Sequence, residues 1–215
     1  MTNVTPLPDF LVTRFRDWKA GPFLDRQEEH ARLASEGQSP KVMVISCCDS
    51  RVHVTSIFGA ETGEFFIHRN VANLVPPFAN DDAHHGTSAA IEFAVTALKV
   101  EHIIVLGHSQ CGGVRYCHDS CHGDLPQNRG SFVDRWIDIL RPGYKRVEHI
   151  ADDAERVTAL EHTAVLVSIE NLMSFPFIQE AVDSGQLSLH GLWHSIGDGV
   201  LKTYDSKSNQ FEPVG

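Results

Sequence analysis

The feature that most narrows what this chain can fold into is a pair of short apolar runs, each emptying into soft metal-type donors. Val42 to Arg51 reads V-M-V-I-S-C-C-D-S-R, and Ile103 to Gly113 reads I-I-V-L-G-H-S-Q-C-G-G. Short apolar runs without polar alternation read as buried strands of a parallel sheet. Open α/β sheets place their chemistry beyond the carboxyl ends of such strands. Two strands that both end in thiols or imidazole therefore predict one shared site at that edge.

The bulk numbers set the frame. A chain of 215 residues predicts a single α/β domain, 1–215, with a sizeable core. Lys plus Arg is 18 against 28 Asp plus Glu, a net charge of −10, so neither nucleic acid nor an anionic membrane is an expected partner. Met1 to Phe10 lacks a basic stretch followed by an apolar core, and no run nears the roughly 18 apolar residues of a spanning helix. The expected location is cytoplasmic. Five cysteines is an odd count, and thiols in a reducing compartment point to metal or catalysis before disulfides.

Taken in order, Leu7 to Glu36 predicts a helical arm broken in two at Gly21-Pro22, covering its own sheet or a partner subunit. Strands are expected at Lys41–Ser46, Glu64–His68 and His102–Leu106, with a short helix or turn at Val52–Phe58 and a loop at Asn70–Phe78. Thr87 to Leu98 is nearly all apolar and predicts a helix buried on most faces. Gly112 to His122 opens another helix, and Ser131 to Leu140 is amphipathic and stopped by Pro142-Gly143. Ala164 to Ile169 reads as strand by β-branching. The three-and-four spacing of Val157, Leu160, Ala164, Val167 and Leu172 favours one long helix over Ala151 to Asn171 instead. A further helix over Pro176 to Val182 precedes a terminal hairpin of Leu187–Ser195 and Val200–Tyr204.

Tetrahedral zinc takes Cys sulfur and His nitrogen, and a catalytic site keeps one position open. The donors on offer are Cys47 or Cys48, His108 and Cys111. Side chains alternate along a strand, which puts Cys47, Asp49 and Arg51 on one side and Cys48 on the other. That parity selects Cys47 and sets an Asp–Arg pair beside the metal, with Arg51 holding Asp49 ionised. Cys117-His118 and Cys121-His122 share one helix face, but nothing supplies further ligands, and they read as ordinary helix residues.

These segments carry a resemblance. C-x-D-S-R at Cys47–Arg51, H-R-N-V-A-N at His68–Asn73 and G-H-S-x-C-G-G at Gly107–Gly113 resemble the β-class carbonic anhydrases. So do V-P-P at Val75–Pro77, G-T-S-A-A-I-E at Gly86–Glu92 and N-L-x-S-F-P-F at Asn171–Phe177, and Gln38 in its Q-S-P-K context resembles their plant-like branch. The resemblance implies a mostly parallel sheet with an antiparallel edge strand, helices on both faces, and an arm (1–36) that packs on the partner of a homodimer or larger homo-oligomer. It implies zinc-dependent reversible hydration of CO2 to bicarbonate and a proton, with one zinc per subunit on Cys47, His108 and Cys111, and Asp49 and Arg51 as the catalytic pair. Gln38, Phe66, Val71, Phe93 and the Gly112 amide would form the substrate pocket. Phe93 stands where Tyr is common and Cys48 where Ser is usual. Val44 stands where the branch with a non-catalytic bicarbonate site has Trp, so that regulation is not expected. Two thiolates offset the charge of zinc, so its water should be less acidic than at a three-histidine site, with activity rising above roughly pH 8. His53, His84 and His85 are candidate proton relays. The rival readings are a COS or CS2 hydrolase on the same fold, and a structural zinc whose fourth position is closed by Cys48 or Asp49.

Overall fold

The computed structural model describes residues 4–81, 84–125 and 130–215. An N-terminal helical unit runs to Gln38 and is followed by an α/β unit from Ser39. The first holds α1 (Asp9–Ala20), α2 (Pro22–Asp25) and α3 (Gln27–Glu36). Pro22 opens α2 in the first helical turn, where its missing N–H is not needed. The arm has three pieces where two were expected, because Arg26 leaves helical geometry between α2 and α3. None of its helical residues is buried, and Phe10, Phe15 and Trp18 are exposed. Within it Phe23 stacks on His30 at 5.2 Å.

The second unit contains β1 (Val42–Cys47), α4 (Val54–Phe58), β2 (Phe65–Asn70), α5 (Gly86–Glu92), β3 (His102–His108) and α6 (Gly112–His122). It continues through α7 (Phe132–Ile137), α8 (Arg141–Val147), α9 (Asp153–Leu172) and α10 (Pro176–Asp183) to β4 (Ser188–His194), β5 (Leu201–Asp205) and β6 (Gln210–Pro213). The sheet order is β2-β1-β3-β4-β5-β6. β2, β1, β3 and β4 are parallel, while β5 and β6 add antiparallel. After β1 the chain goes to one side to make β2, then crosses to the other side to make β3. The β1/β3 boundary is thus the topological switch point, where a crevice opens beyond the strand ends.

Alternation along β1 divides the core. Met43 and Ile45 pack with Ile103, Val105, Ile91, Leu172 and Phe175, whereas Val44 packs with Leu106, Leu192, Val52 and Val54. Ala164 to Ile169 is helix, as its three-and-four spacing favoured. Leu160, Ala164, Val167, Ser168 and Leu172 line the buried stripe of α9.

Three expectations need correction. Phe93–Ala97 continues α5 as a π-helical turn, and that segment is not buried on most faces: Phe93 is 49% exposed. Its buried stripe is Thr87, Ile91, Ala94 and Val95, and the opposite side carries exposed Glu92 and Phe93. Pro142 does not stop a helix but opens α8, since a proline in the first turn forfeits no intrahelical bond. The terminal hairpin has a third strand, β6, and β4 also pairs in parallel with β3.

Candidate metal centre

Cys47 ends β1 on the same face as Met43 and Ile45, and is buried among Ala72, Leu74, Cys111 and Val114. Cys48, one residue on, is exposed. The chain leaving β1 folds round the Arg69 guanidinium, which donates to the carbonyls of Cys47 (2.9 Å), Asp49 (2.6 Å) and Val52 (2.8 Å). Sequence reading quoted the H-R-N run but gave Arg69 no role. His108 ends β3, and a turn with Gln110 at φ +55° brings Cys111 back to the start of α6. Gly113 lets α6 approach this closely: a Cβ there would lie 2.7 Å from Val71 Cγ1 and 3.0 Å from Ala72 Cβ.

Strand register and turn together converge three donors. The ligand atoms of Cys47, His108 and Cys111 all lie within 4.8 Å of one another. They form the one such group of three or more among the described residues. The two sulfurs are 3.9 Å apart. Two sulfurs on tetrahedral zinc, each at about 2.3 Å, would be separated by about 3.8 Å. His108 Nδ1 donates to the Ser109 carbonyl at 2.9 Å, so the Nε2 lone pair faces the sulfurs. That Nε2 is buried and has no hydrogen-bond partner. A buried polar atom without a partner is costly unless something binds it. Zinc fits this donor set.

The electrostatics agree. The Cys111 S–H holds the Cys47 thiol down to about 4 against the opposing push of burial, helped by the neighbouring His108 imidazole and by the N–H groups of Asp49 and Ala72. Cys111 is pushed up by the same hydrogen bond and by burial, although the Gly113 and Val114 N–H groups point at its sulfur.

Asp49 and Arg51 meet as expected. Arg51 Nε donates to Asp49 Oδ1 at 3.0 Å and Nη2 to Oδ2 at 2.7 Å, and the Arg51 N–H adds a third bond to Oδ1 at 2.9 Å. These bonds hold Asp49 well below the usual carboxylate range. Arg51 is anchored in turn by the Gln110 carbonyl at 3.0 Å. Neither Asp49 nor Cys48 joins the donor group, so among the described residues the fourth side chain that the structural-zinc rival requires is not in place.

The proposed pocket residues divide. Val71 packs beside Cys47 and Cys111, with its carbonyl held by Trp136 Nε1 at 2.8 Å, and open space lies over the Gly112 α-carbon. Phe66 packs instead with the Met43–Ile45 cluster and faces the Phe93 ring at 5.9 Å. Gln38 is the last residue of the N-terminal unit and is exposed. Of the relay candidates, His53 shares Nδ1 with the Thr55 and Ser56 hydroxyls, and His85 pairs with Asp81.

Sequence reading also missed Glu161 of α9, which accepts the Cys111 N–H at 3.2 Å and Trp193 Nε1 at 3.2 Å. Burial pushes its carboxyl up, opposed by those donors. The available signal was a carboxylate on the stripe otherwise lined by Leu160 and Ala164.

Comparison with known proteins converges on one family. The family profile described as carbonic anhydrase matches residues 42–201. The mitochondrial beta carbonic anhydrase 6 of Arabidopsis thaliana is 36% identical, over 94% of this chain and 69% of its own length. Beta carbonic anhydrase 3 of the same plant is 34% identical, over 80% of this chain and 67% of its own. The chain thus spans about two thirds of the length of these plant proteins. Among solved structures, the β-carbonic anhydrase CcaA superposes with a TM-score of 0.87 at 28% identity, over 96% of this chain and 92% of that one. A β-carbonic anhydrase of Sordaria macrospora, described as tetrameric, gives 0.76 at 32% identity over 91% and 95%. With the family profile spanning both donor-bearing strands and most of the chain, this protein belongs to the carbonic anhydrases, in their β class.

Proposed function

We propose that the chain hydrates CO2 reversibly to bicarbonate and a proton with one zinc per subunit, held by Cys47, His108 and Cys111. The observation that carries this reading is the buried, partnerless His108 Nε2 facing two sulfurs at the switch point of the sheet. When bound, zinc supplies a Lewis acid that makes a water ionise far more readily than in bulk.

The chain's own residues do the rest. Asp49 cannot hold a proton near neutrality, because Arg51 keeps its carboxyl ionised. Its part is to accept one O–H of the attacking water on a lone pair that Arg51 leaves free, turning another oxygen lone pair toward the carbon of CO2. Gly113 and Val114 direct their N–H groups to Cys111 sulfur, and the Gly112 N–H, in the same first turn of α6, is the donor offered to a CO2 oxygen. Val71 walls the cavity on the apolar side and excludes water.

The working protein is a homodimer or a larger homo-oligomer, with the arm (1–36) packed on the partner subunit. In support, the arm buries no helical residue of its own, and Phe93 and Ile67 leave apolar surface uncovered. Five unpaired thiols suit a reducing compartment such as the cytoplasm.

Stopped-flow CO2 hydration tests this reading. The zinc-loaded protein should be active, with a rate rising between about pH 7 and 9 as the water loses its proton. Asp49→Ala should retain zinc and lose about 10²- to 10³-fold in kcat. Undetectable hydration by the zinc-loaded wild type across that range would overturn the reading.

A further inference from the structure

We propose that Glu161 is a positioning residue for both halves of this site, fixing the Cys111 ligand and the Asp49–Arg51 pair through one peptide group. The proposal rests on the zinc reading of Cys47, His108 and Cys111.

Glu161 is 3% exposed, on the buried stripe of α9 that also carries Leu160, Ala164 and Ser168. A carboxylate in such a place is expensive unless it is hydrogen-bonded. Its partners are all donors. Oε1 accepts the Cys111 N–H and Oε2 the Trp193 indole N–H, each at 3.2 Å, and the Gln110 N–H also points to it. An acceptor-only group satisfies all three, whereas an amide would turn an NH2 toward a donor.

The peptide joining Gln110 to Cys111 is gripped at both ends. Glu161 takes its N–H, and Arg51 Nη2 donates to its C=O at 3.0 Å. Gln110 sits at φ +55°, a conformation a non-glycine residue keeps only when its surroundings enforce it. Rotation of this peptide would therefore move Cys111 away from Cys47 and His108 and withdraw the anchor of Arg51 together. Trp193, on β4, fixes the rotamer of the carboxylate from the far side. A chain of contacts thus runs from β4 through α9 to the turn after β3 and on to the turn after β1.

The test uses the full-length wild type, Glu161→Gln and Trp193→Phe. Readouts are zinc affinity by competition with a chromophoric chelator, the visible spectrum of the cobalt-substituted protein, and kcat and KM for CO2. Glu161→Gln should bind zinc about 10- to 100-fold more weakly, the usual effect of losing an outer partner of a ligand. Its cobalt–thiolate bands should shift, and kcat should fall more than KM changes. Trp193→Phe should move the same readouts in the same direction by a smaller factor, since the carboxylate remains. Wild-type zinc affinity and an unaltered cobalt spectrum in Glu161→Gln would overturn the proposal, even if its melting temperature dropped. Should Glu161→Gln fail to fold, the same null result in Trp193→Phe overturns it. A wild type that binds no zinc would instead sink the reading of the site itself.

Discussion

Two clusters of thiols and imidazoles lie at opposite ends of α6, built from the same residue types, and only one is a metal site in form. At its start, Cys47, His108 and Cys111 converge within 4.8 Å with His108 Nε2 unpartnered. On its last turns, Cys117, His118, Cys121 and His122 are engaged with other partners. Arg156 Nε donates to His118 Nε2 at 2.9 Å, and His118 Nδ1 pairs with Asp119 at 2.8 Å. Arg141 reaches Cys121 Sγ at 3.4 Å, and His122 pairs with Asp124 at 3.0 Å. Cys117 donates to Cys121, bringing the Cys121 thiol down to about 7. Residue type makes a donor, but an unused lone pair aimed at other donors makes a ligand.

The largest effect expected separates the two ends directly. His108→Ala should lower zinc from one per subunit to near zero and cut CO2 hydration by more than about 10³-fold, because among the described residues no fourth donor joins the group to replace the imidazole. Cys121→Ser should leave the zinc stoichiometry unchanged. Elemental analysis after gel filtration reads both. Zinc retained in His108→Ala, or lost in Cys121→Ser, would break the contrast.

A second variant sharpens it along the same helix. In Gly113→Ala the new methyl would meet Val71 Cγ1 at 2.7 Å and Ala72 Cβ at 3.0 Å, so the start of α6 must shift while its far end need not. Overpacking of this kind typically costs about 1–3 kcal/mol. Thermal unfolding should show that loss, and Val71→Ala in the same chain should recover part of it. Equal melting temperatures for Gly113→Ala and wild type would mean that the two segments can part without cost.

What could be read from the sequence follows from how local each cause is. β1 and β3 announced themselves as apolar runs, and strand parity separated buried Cys47 from exposed Cys48. α6 was legible to the residue, because glycines mark both its start and the stop at Gly123. Arg69 and Glu161 were not, since Arg69 meets backbone carbonyls 17 to 22 residues away and Glu161 a backbone N–H 50 residues and an indole 32 residues away, beyond any periodic pattern. β6 was missed because Phe211 is its only large apolar residue and its order comes from pairing with β5. Phe93 misled for a different reason: an apolar helix predicts burial, but the sequence does not say whether its own chain or another provides it.

His162 refines the rule with the smallest effect. Its Nε2 is also buried and partnerless, yet the ring lies against Phe211 at 4.4 Å and Trp193 at 5.0 Å rather than against sulfur. A free lone pair without neighbouring donors is only a cost. Burial, with a smaller push from Lys202, lowers its pKa from 6.5 to about 4. The folded protein therefore binds fewer protons than the unfolded chain between those values, and stability falls as the pH drops through that window. The loss begins below about 6.5, grows by at most about 1.4 kcal/mol per pH unit, and is complete once the pH has passed about 4. Glu161, with its carboxyl raised by burial, and the lowered His68, His190 and His194 titrate in both proteins, so the difference between wild type and His162→Phe isolates this contribution. Denaturant unfolding at pH 7.0 and 5.0 should show the wild type losing more stability than the variant. Parallel losses in the two proteins would mean that His162 charges without hindrance, and that its ring is open to water after all.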